Sequence, residues 1–203
     1  MQNDARTRVI QAADELFFTY GYGRVTVDEI AKQLGMSKKT LYKHFRGKEA
    51  LLTAVIDQFA QEINVGVDDI LTNDALTFVE KLSRMMAFVG ERMPKIESRH
   101  MMAIRLEAPA VWTRILALRR QTIEHKFGLL LQEGVQAGMI RADVNLELVR
   151  FMILSNLQAL LVPERLSMLP LTAVQLLEST IHILFVGILT NEGRDAINAP
   201  VNH

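Results

Sequence analysis

The 203 residues are 49% hydrophobic and 23% charged, the balance of an ordinary globular chain, long enough for one large domain or a small one joined to a medium one. The absence of cysteine excludes a disulfide scaffold, thiolate zinc ligands and a cysteine nucleophile. Basic and acidic residues balance at 23 each, which argues against a protein that coats nucleic acid through bulk charge. The longest apolar run, residues 183–189, falls far short of the roughly 20 residues a helix needs to cross a bilayer. The first eight residues carry Asp4, Arg6 and Arg8 in place of a secretory signal, so the cytoplasm is the expected compartment.

In chain order, Val9, Ile10, Ala13, Leu16, Phe17 and Tyr20 share one side of a 3.6-residue period, and Gly21 and Gly23 stop this first helix. Thr26 followed three residues later by Glu29, between Val25 and Ile30, reads as a capping box opening a second helix that runs to about Leu34. Gly35 supplies a reversal, Ser37 can cap the next start, and a short third helix follows over Lys38–His44 with Leu41 and Phe45 on its inner face. After Gly47, the pattern Leu51, Leu52, Val55, Ile56, Phe59, Ile63 sustains a long fourth helix over Lys48–Leu71, the natural connector to the rest.

Prolines at 94, 109, 163 and 170 punctuate the remainder, and helices are predicted near 75–92, 96–107, 110–137, 145–162 and 172–190, with no strand. The tail from Asn191, with Gly193, Asn198 and Pro200, reads as a frayed end. The predicted fold is therefore all-α: a three-helix unit over residues 1–47, a larger helical domain over 48–192, and a tail over 193–203.

Charge is spread unevenly. Residues 1–50 hold 9 Lys and Arg against 6 Asp and Glu, while residues 51–203 hold 14 against 17. Lys32, Lys38, Lys39, Lys43, Arg46 and Lys48 follow one another with no acid between them, the local footprint that phosphate contact requires. Two helices joined by a tight glycine turn, the second short and basic, meet the requirement for placing a helix in the major groove while the first braces it.

The segments Thr26-Val27-Asp28-Glu29-Ile30-Ala31, Leu34-Gly35-Met36-Ser37, Thr40-Leu41-Tyr42-Lys43-His44-Phe45 and Lys48-Glu49-Ala50-Leu51 together resemble the DNA-binding domain of TetR-family regulators, over about residues 6–56. The resemblance implies that Lys38, Lys39, Thr40 and Tyr42 face DNA and that Thr26, His44 and Lys48 contact phosphate, with Ser37 and Lys43 completing the DNA-binding set. Many members have serine where Gly47 stands, and glycine also serves at a helix N-cap.

Residues 146–162 are apolar almost all round, with Leu148, Val149, Phe151, Met152, Ile153, Leu154, Leu157, Leu160 and Leu161, more than one core can bury. Residues 172–190 repeat the theme with Ala173, Leu176, Leu177, Thr180, Leu184, Gly187 and Ile188. Both suit a homodimer interface, as the resemblance also implies, together with the lead-in Gly138-Met139-Ile140-Arg141-Ala142-Asp143-Val144-Asn145.

Met85, Met86, Met93, Met101 and Met102 crowd the middle helices beside Phe78, Phe88, Trp112 and Phe127, a set that is either core or the lining of a lipophilic ligand site. The candidate ligand residues are Phe78, Met86, Met101, Arg105, Trp112, Phe127 and Asn156, with Gln158 a further polar candidate. Gly21-Tyr22-Gly23 lacks the third glycine and the strand of a dinucleotide site. The histidines His44, His100, His125 and His182 lack metal-ligand spacing. No nucleophile elbow or paired-carboxylate motif is present, so no enzyme, cofactor or metal is expected. The expected partners are an operator in double-stranded DNA, a small-molecule effector and a second copy of the chain, and the expected role is a repressor released by ligand. A same-fold activator or partner-controlled regulator, and a helical enzyme or carrier with an incidental basic head, are the alternatives.

Overall fold

The computed structural model describes residues 2–92, 98–159 and 170–198. Among them the chain is helical, and a lone bridge between Ile140 and Leu189 is the only β pairing. The all-α class expected from periodicity is the class observed. The chain divides into two compact units, Met1–Glu62 with Lys95–Ala117, and Ile63–Pro94 with Leu118–His203. Helices α4 (Lys48–Leu71) and α7 (Pro109–Thr122) each begin in the first unit and end in the second.

The first unit contains α1 (Gln2–Tyr20), α2 (Val27–Gln33), α3 (Lys38–His44), the start of α4, α6 (Ser98–Glu107) and the start of α7. Its core includes most of the residues the pattern selected, Val9, Ile10, Ala13 and Phe17 of α1, Ile30 of α2, Leu41 of α3, and Leu51, Leu52, Val55 and Ile56 of α4, together with Val27 and Ala31 of α2, all buried. Leu16 and Tyr20, placed on the same side of α1 by the period, stay outside this buried set, and Tyr20 is exposed. Gly21 ends α1 with φ 91°, its N–H donating to Phe17 O at 3.0 Å. At the end of α2, Gly35 takes φ 62°, and the Met36 N–H donates to Ala31 O at 3.0 Å, so the reversal satisfies a carbonyl that the helix end would otherwise strand.

The second unit is built on α5 (Phe78–Gly90), a run in which α7 passes through a single π turn (Ile123–Phe127) into α8 (Gly128–Gln136), α9 (Leu146–Ala159), α10 (Ala173–Ile188) and α11 (Asn191–Asn198). The helix expected over 110–137 is thus one continuous run interrupted by a widened turn, a feature periodicity does not register. Phe78, Leu82, Met85, Ile123, Leu130, Leu131, Ile153 and Phe185 form the core. The Lys81 ammonium, almost fully buried, lies 3.0 Å from Glu133, the pairing a buried cation needs.

The loop after α8 is pinned to the end of α10: Arg141 N–H donates to Ile188 O at 3.0 Å and Thr190 N–H to Met139 O at 2.9 Å. The frayed tail expected from Asn191 is corrected, because residues 191–198 are helical. Thr190 caps this helix, its hydroxyl accepting from Gly193 N–H at 3.0 Å, and a Cβ at Gly193 would overlap Met139 O. The glycine read as a sign of fraying is there for close packing. Leu160, Leu161 and Met93 lie outside the described residues.

Two glycines of the second unit predict opposite outcomes. A Cβ on Gly134 would come within 2.7 Å of both Ile140 Cδ1 and Phe78 Cε2, whereas one on Gly90 meets nothing within 4 Å. Gly134→Val should destabilise the fold by about 1–3 kcal/mol through overpacking, and Gly90→Ala should stabilise it by up to about 1 kcal/mol through helix propensity, both read from urea unfolding.

Candidate nucleic-acid interface

The interface is positioned by α2, the Gly35 turn and α3. Thr26 is the N-cap of α2, and the capping box is complete: Glu29 N–H donates to Thr26 Oγ1 at 3.2 Å, while Thr26 N–H and its hydroxyl donate to Glu29 Oε2 at 2.7 and 2.8 Å. These bonds, the backbone N–H first, hold the Glu29 carboxyl below its ordinary range. The hydroxyl proton of Thr26 is therefore committed to Glu29, and a phosphate contact through it competes with the cap. Ser37 caps α3 likewise, accepting from Thr40 N–H at 3.1 Å and sharing a hydrogen bond with the Thr40 hydroxyl at 2.9 Å.

On α3, burial of Leu41, and of Phe45 just past the helix, turns the opposite face outward. Lys38, Lys39, Tyr42 and Lys43 are exposed there, Tyr42 at 44%, while Thr40 and His44 are half-buried. Lys38 is not an open cation: its Nζ lies 2.8 Å from Asp28 of α2, and that bond raises its pKa. Sequence reasoning missed this pair because ten positions and a turn separate its members.

Lys48, the first residue of α4, is half-buried with its Nζ 4.2 Å from the centroid of the Tyr22 ring. Burial lowers its pKa, against the opposing pull of Glu107 and Glu29. Tyr22 in turn packs edge-on against Phe17, centroids 5.3 Å apart, and its hydroxyl is pushed up by burial and by Glu49 and Glu107. The segment discounted as a nucleotide fingerprint is thus the seat of a cation. Arg6, 5.0 Å over the Phe45 ring, is a second cation seated on an aromatic.

The candidate ligand residues fall in both units. Met101, buried, Trp112, half-buried, and Arg105, exposed, belong to the first, whereas Phe78, buried, Met86 and Phe127, half-buried, and Asn156, exposed, belong to the second. The Asn156 amide donates to Met152 O at 2.8 Å, a bond within its own helix.

A small helical unit with a buried core, a tight turn, and a short helix that shows lysines and a tyrosine to solvent defines a helix-turn-helix DNA-binding regulator. Residues 9–55 match the model of bacterial regulatory proteins of the tetR family. The chain is 28% identical to the HTH-type transcriptional regulator YvaF of Bacillus subtilis (strain 168), over 84% of this chain and 89% of that one. It is 27% identical to the fatty acid metabolism regulator protein of the same organism, over 89% of this chain and 94% of that one. The transcriptional regulator FadR from Bacillus subtilis, solved in complex with stearoyl-CoA, shares the fold with a TM-score of 0.65 at 22% identity, over 90% of this chain and 98% of that one. The chain belongs to the TetR family of bacterial transcriptional regulators. No helix among the described residues is long and apolar enough to cross a membrane.

Thr26→Ala should cost about 1 kcal/mol at neutral pH. Because the folded pKa of Glu29 lies below its ordinary 4.5, the carboxylate's share of that stability is present above about pH 4.5 and is lost as pH falls through the lowered value. The gap between wild type and Thr26→Ala should therefore narrow on acidification, and the Glu29 carboxyl should titrate higher in the variant by NMR.

Proposed function

We propose that the protein is a homodimeric repressor that binds a near-palindromic operator through α3 and is released from it by a small lipophilic ligand. The observation that carries this reading is that one chain leaves two surfaces uncovered, one basic and one apolar. On α3, Lys39 and Lys43 are exposed with no acid paired to either among the described residues, and Tyr42 stands between them. Lys39, Tyr42 and Lys43 lie at i, i+3 and i+4, one strip of helix surface. We assign base and phosphate contact to this strip, phosphate to Lys48 and His44, and capping first to Thr26 and Ser37. Lys38 reaches DNA by exchanging Asp28 for phosphate.

The apolar surface lies on α9 and α10, which pack against one another. Leu148, Phe151 and Met152 of α9 and Ile183 and Val186 of α10 are exposed, Phe151 at 65% and Ile183 at 71%. Large side chains left bare in this number mark an interaction surface, and two copies related by a twofold axis cover it with the same patch on each side. Gly187, exposed beside Ile183 with open space over it, lets a partner helix approach closely. A twofold pair places its recognition helices about 34–36 Å apart, or a multiple of that, and so reads two half-sites.

A lipophilic effector is supported by the buried Met85 and Phe78 and half-buried Met86 of the second unit, and by relatives described as a fatty acid metabolism regulator and a stearoyl-CoA complex. Helix α4 belongs to both units, so it is the covalent path by which a ligand in one changes the DNA affinity of the other. A coupling of about 1–3 kcal/mol weakens operator binding roughly 5- to 150-fold.

Selection of genomic fragments by the purified protein at two salt concentrations tests the reading. Enrichment of a short near-palindrome whose affinity falls with salt is expected, and no enrichment over competitor DNA sinks it. Tyr42→Ala should weaken that binding by about 1 kcal/mol or more with stability unchanged within about 0.5 kcal/mol. Ile183→Arg should convert the dimer to monomer in sedimentation equilibrium.

A further inference from the structure

We propose that the second unit binds an amphiphile with an anionic head, and that Arg119 is the residue that holds the head. This rests on the effector reading above and names the ligand class that the reading leaves open. Along α7 the positions Val111 and Ile115, with Ile123 in the following π turn, are buried, and Arg119 stands between Ile115 and Ile123 in the same i, i+4 register, a cation in an apolar stripe. It is half-buried.

Among the described residues the charge has no counter-charge. No hydrogen bond or ion pair joins Arg119 to another described residue, and carboxylates of the second unit are engaged elsewhere: Asp68 with Lys126, Glu124 with Arg120, Glu133 with Lys81 and Glu147 with Arg150. Burial alone lowers its pKa, to about 10, with no acid to raise it again, so it stays protonated at neutral pH. An interior guanidinium without a partner is costly, and its planar fork suits a carboxylate or phosphate.

Its neighbours complete a head-group site. One turn along the helix, the Thr122 hydroxyl donates to Asn64 Oδ1 of α4 at 3.0 Å, a polar pair beside the π turn, a distortion that recurs at functional sites. Where α5 meets α4 at Gly66, the Phe88 ring fills the space a side chain would take. A cation and a polar pair one turn apart along the helix, with apolar side chains on the adjoining helices, are the division an amphiphile requires.

Equilibrium dialysis of the full-length protein with palmitate, palmitoyl-CoA and 1-hexadecanol tests this. Wild type should bind at least one of the two anions at least about tenfold more tightly than the alcohol, and the one preferred tells carboxylate from phosphate head. Arg119→Met should lose about 10- to 100-fold in affinity for that anion and nothing for the alcohol, with Arg119→Lys recovering part of the loss. Arg119→Met should also melt higher than wild type without ligand, because it removes a desolvated charge, whereas an arginine that serves the fold would melt lower. An alcohol bound as tightly as the anions, or an anion affinity unmoved by Arg119→Met, overturns the assignment and leaves the effector reading standing. Binding of none of the three, by a protein that still selects an operator, removes both.

Discussion

A helix of seven residues does not hold itself together in water, and α3, the second helix of the helix-turn-helix, has seven. What keeps it in place is the burial of a single side chain within it, Leu41, joined by Phe45 at its end and the Ser37 cap at its start. Lys39, Tyr42 and Lys43 are left without structural duty, which is why they can stand in solvent. Leu41 is fully buried in a unit in which α1, α2 and α4 also bury Phe17, Ile30 and Leu51. The reading surface is thus a by-product of a core made elsewhere in the same unit.

Charge in that unit is arranged with the same economy. Cations near the candidate interface are held by partners of different strength: Lys38 by a carboxylate, Lys48 by the face of Tyr22, Arg6 by the face of Phe45. An exposed ion pair is worth little in water, so exchanging Asp28 for a phosphate costs Lys38 little. Lys48 is different, since it is half-buried and lies in the field of Glu29 and Glu107. Glu107 closes α6, and a Cβ on Gly23 would overlap its carboxylate. The glycine therefore brings an acid from a distant part of the chain up to the helix-turn-helix.

The class of fold, the helix order and much of the core of α1, α3 and α4 were legible because each rests on period and capping, which are local. The capping box at Thr26 and the cap at Ser37 were read from side chains three residues apart and stand as read. What stayed hidden depends on approach between distant segments: the Lys38 partner, the Tyr22 seat for Lys48, and the contact that makes Gly193 a packing glycine instead of a breaker. In α10 the difficulty was different. A helix apolar all round shows no moment that points to its bare face, and Ile183 and Val186 were passed over in favour of positions such as Ile188, which is buried. Arg119 was legible in principle, a cation in register with Ile115 and Ile123, but a lone arginine in a long helix carries no signal until its neighbours are known to be buried.

Two features make the isolated chain less stable than it has to be, a bare apolar face on α9 and α10 and a half-buried cation of the second unit with no partner among the described residues. Both are costs that a binding event can recover. On the proposed reading each is recovered by a different partner: the face by a second copy, the cation by an anionic head. Anything that binds the folded chain alone raises its stability by an amount that grows with the logarithm of one plus the ratio of its concentration to Kd, so the dimeric, loaded state gains twice and the empty monomer gains nothing. A regulator whose ligand completes its core does not need a large movement to sense it. The ligand has only to favour one setting of α4 over another by a kilocalorie or two, and the residues that would bind it lie in the unit where α4 ends, far along the same helix from the lysine with which it begins.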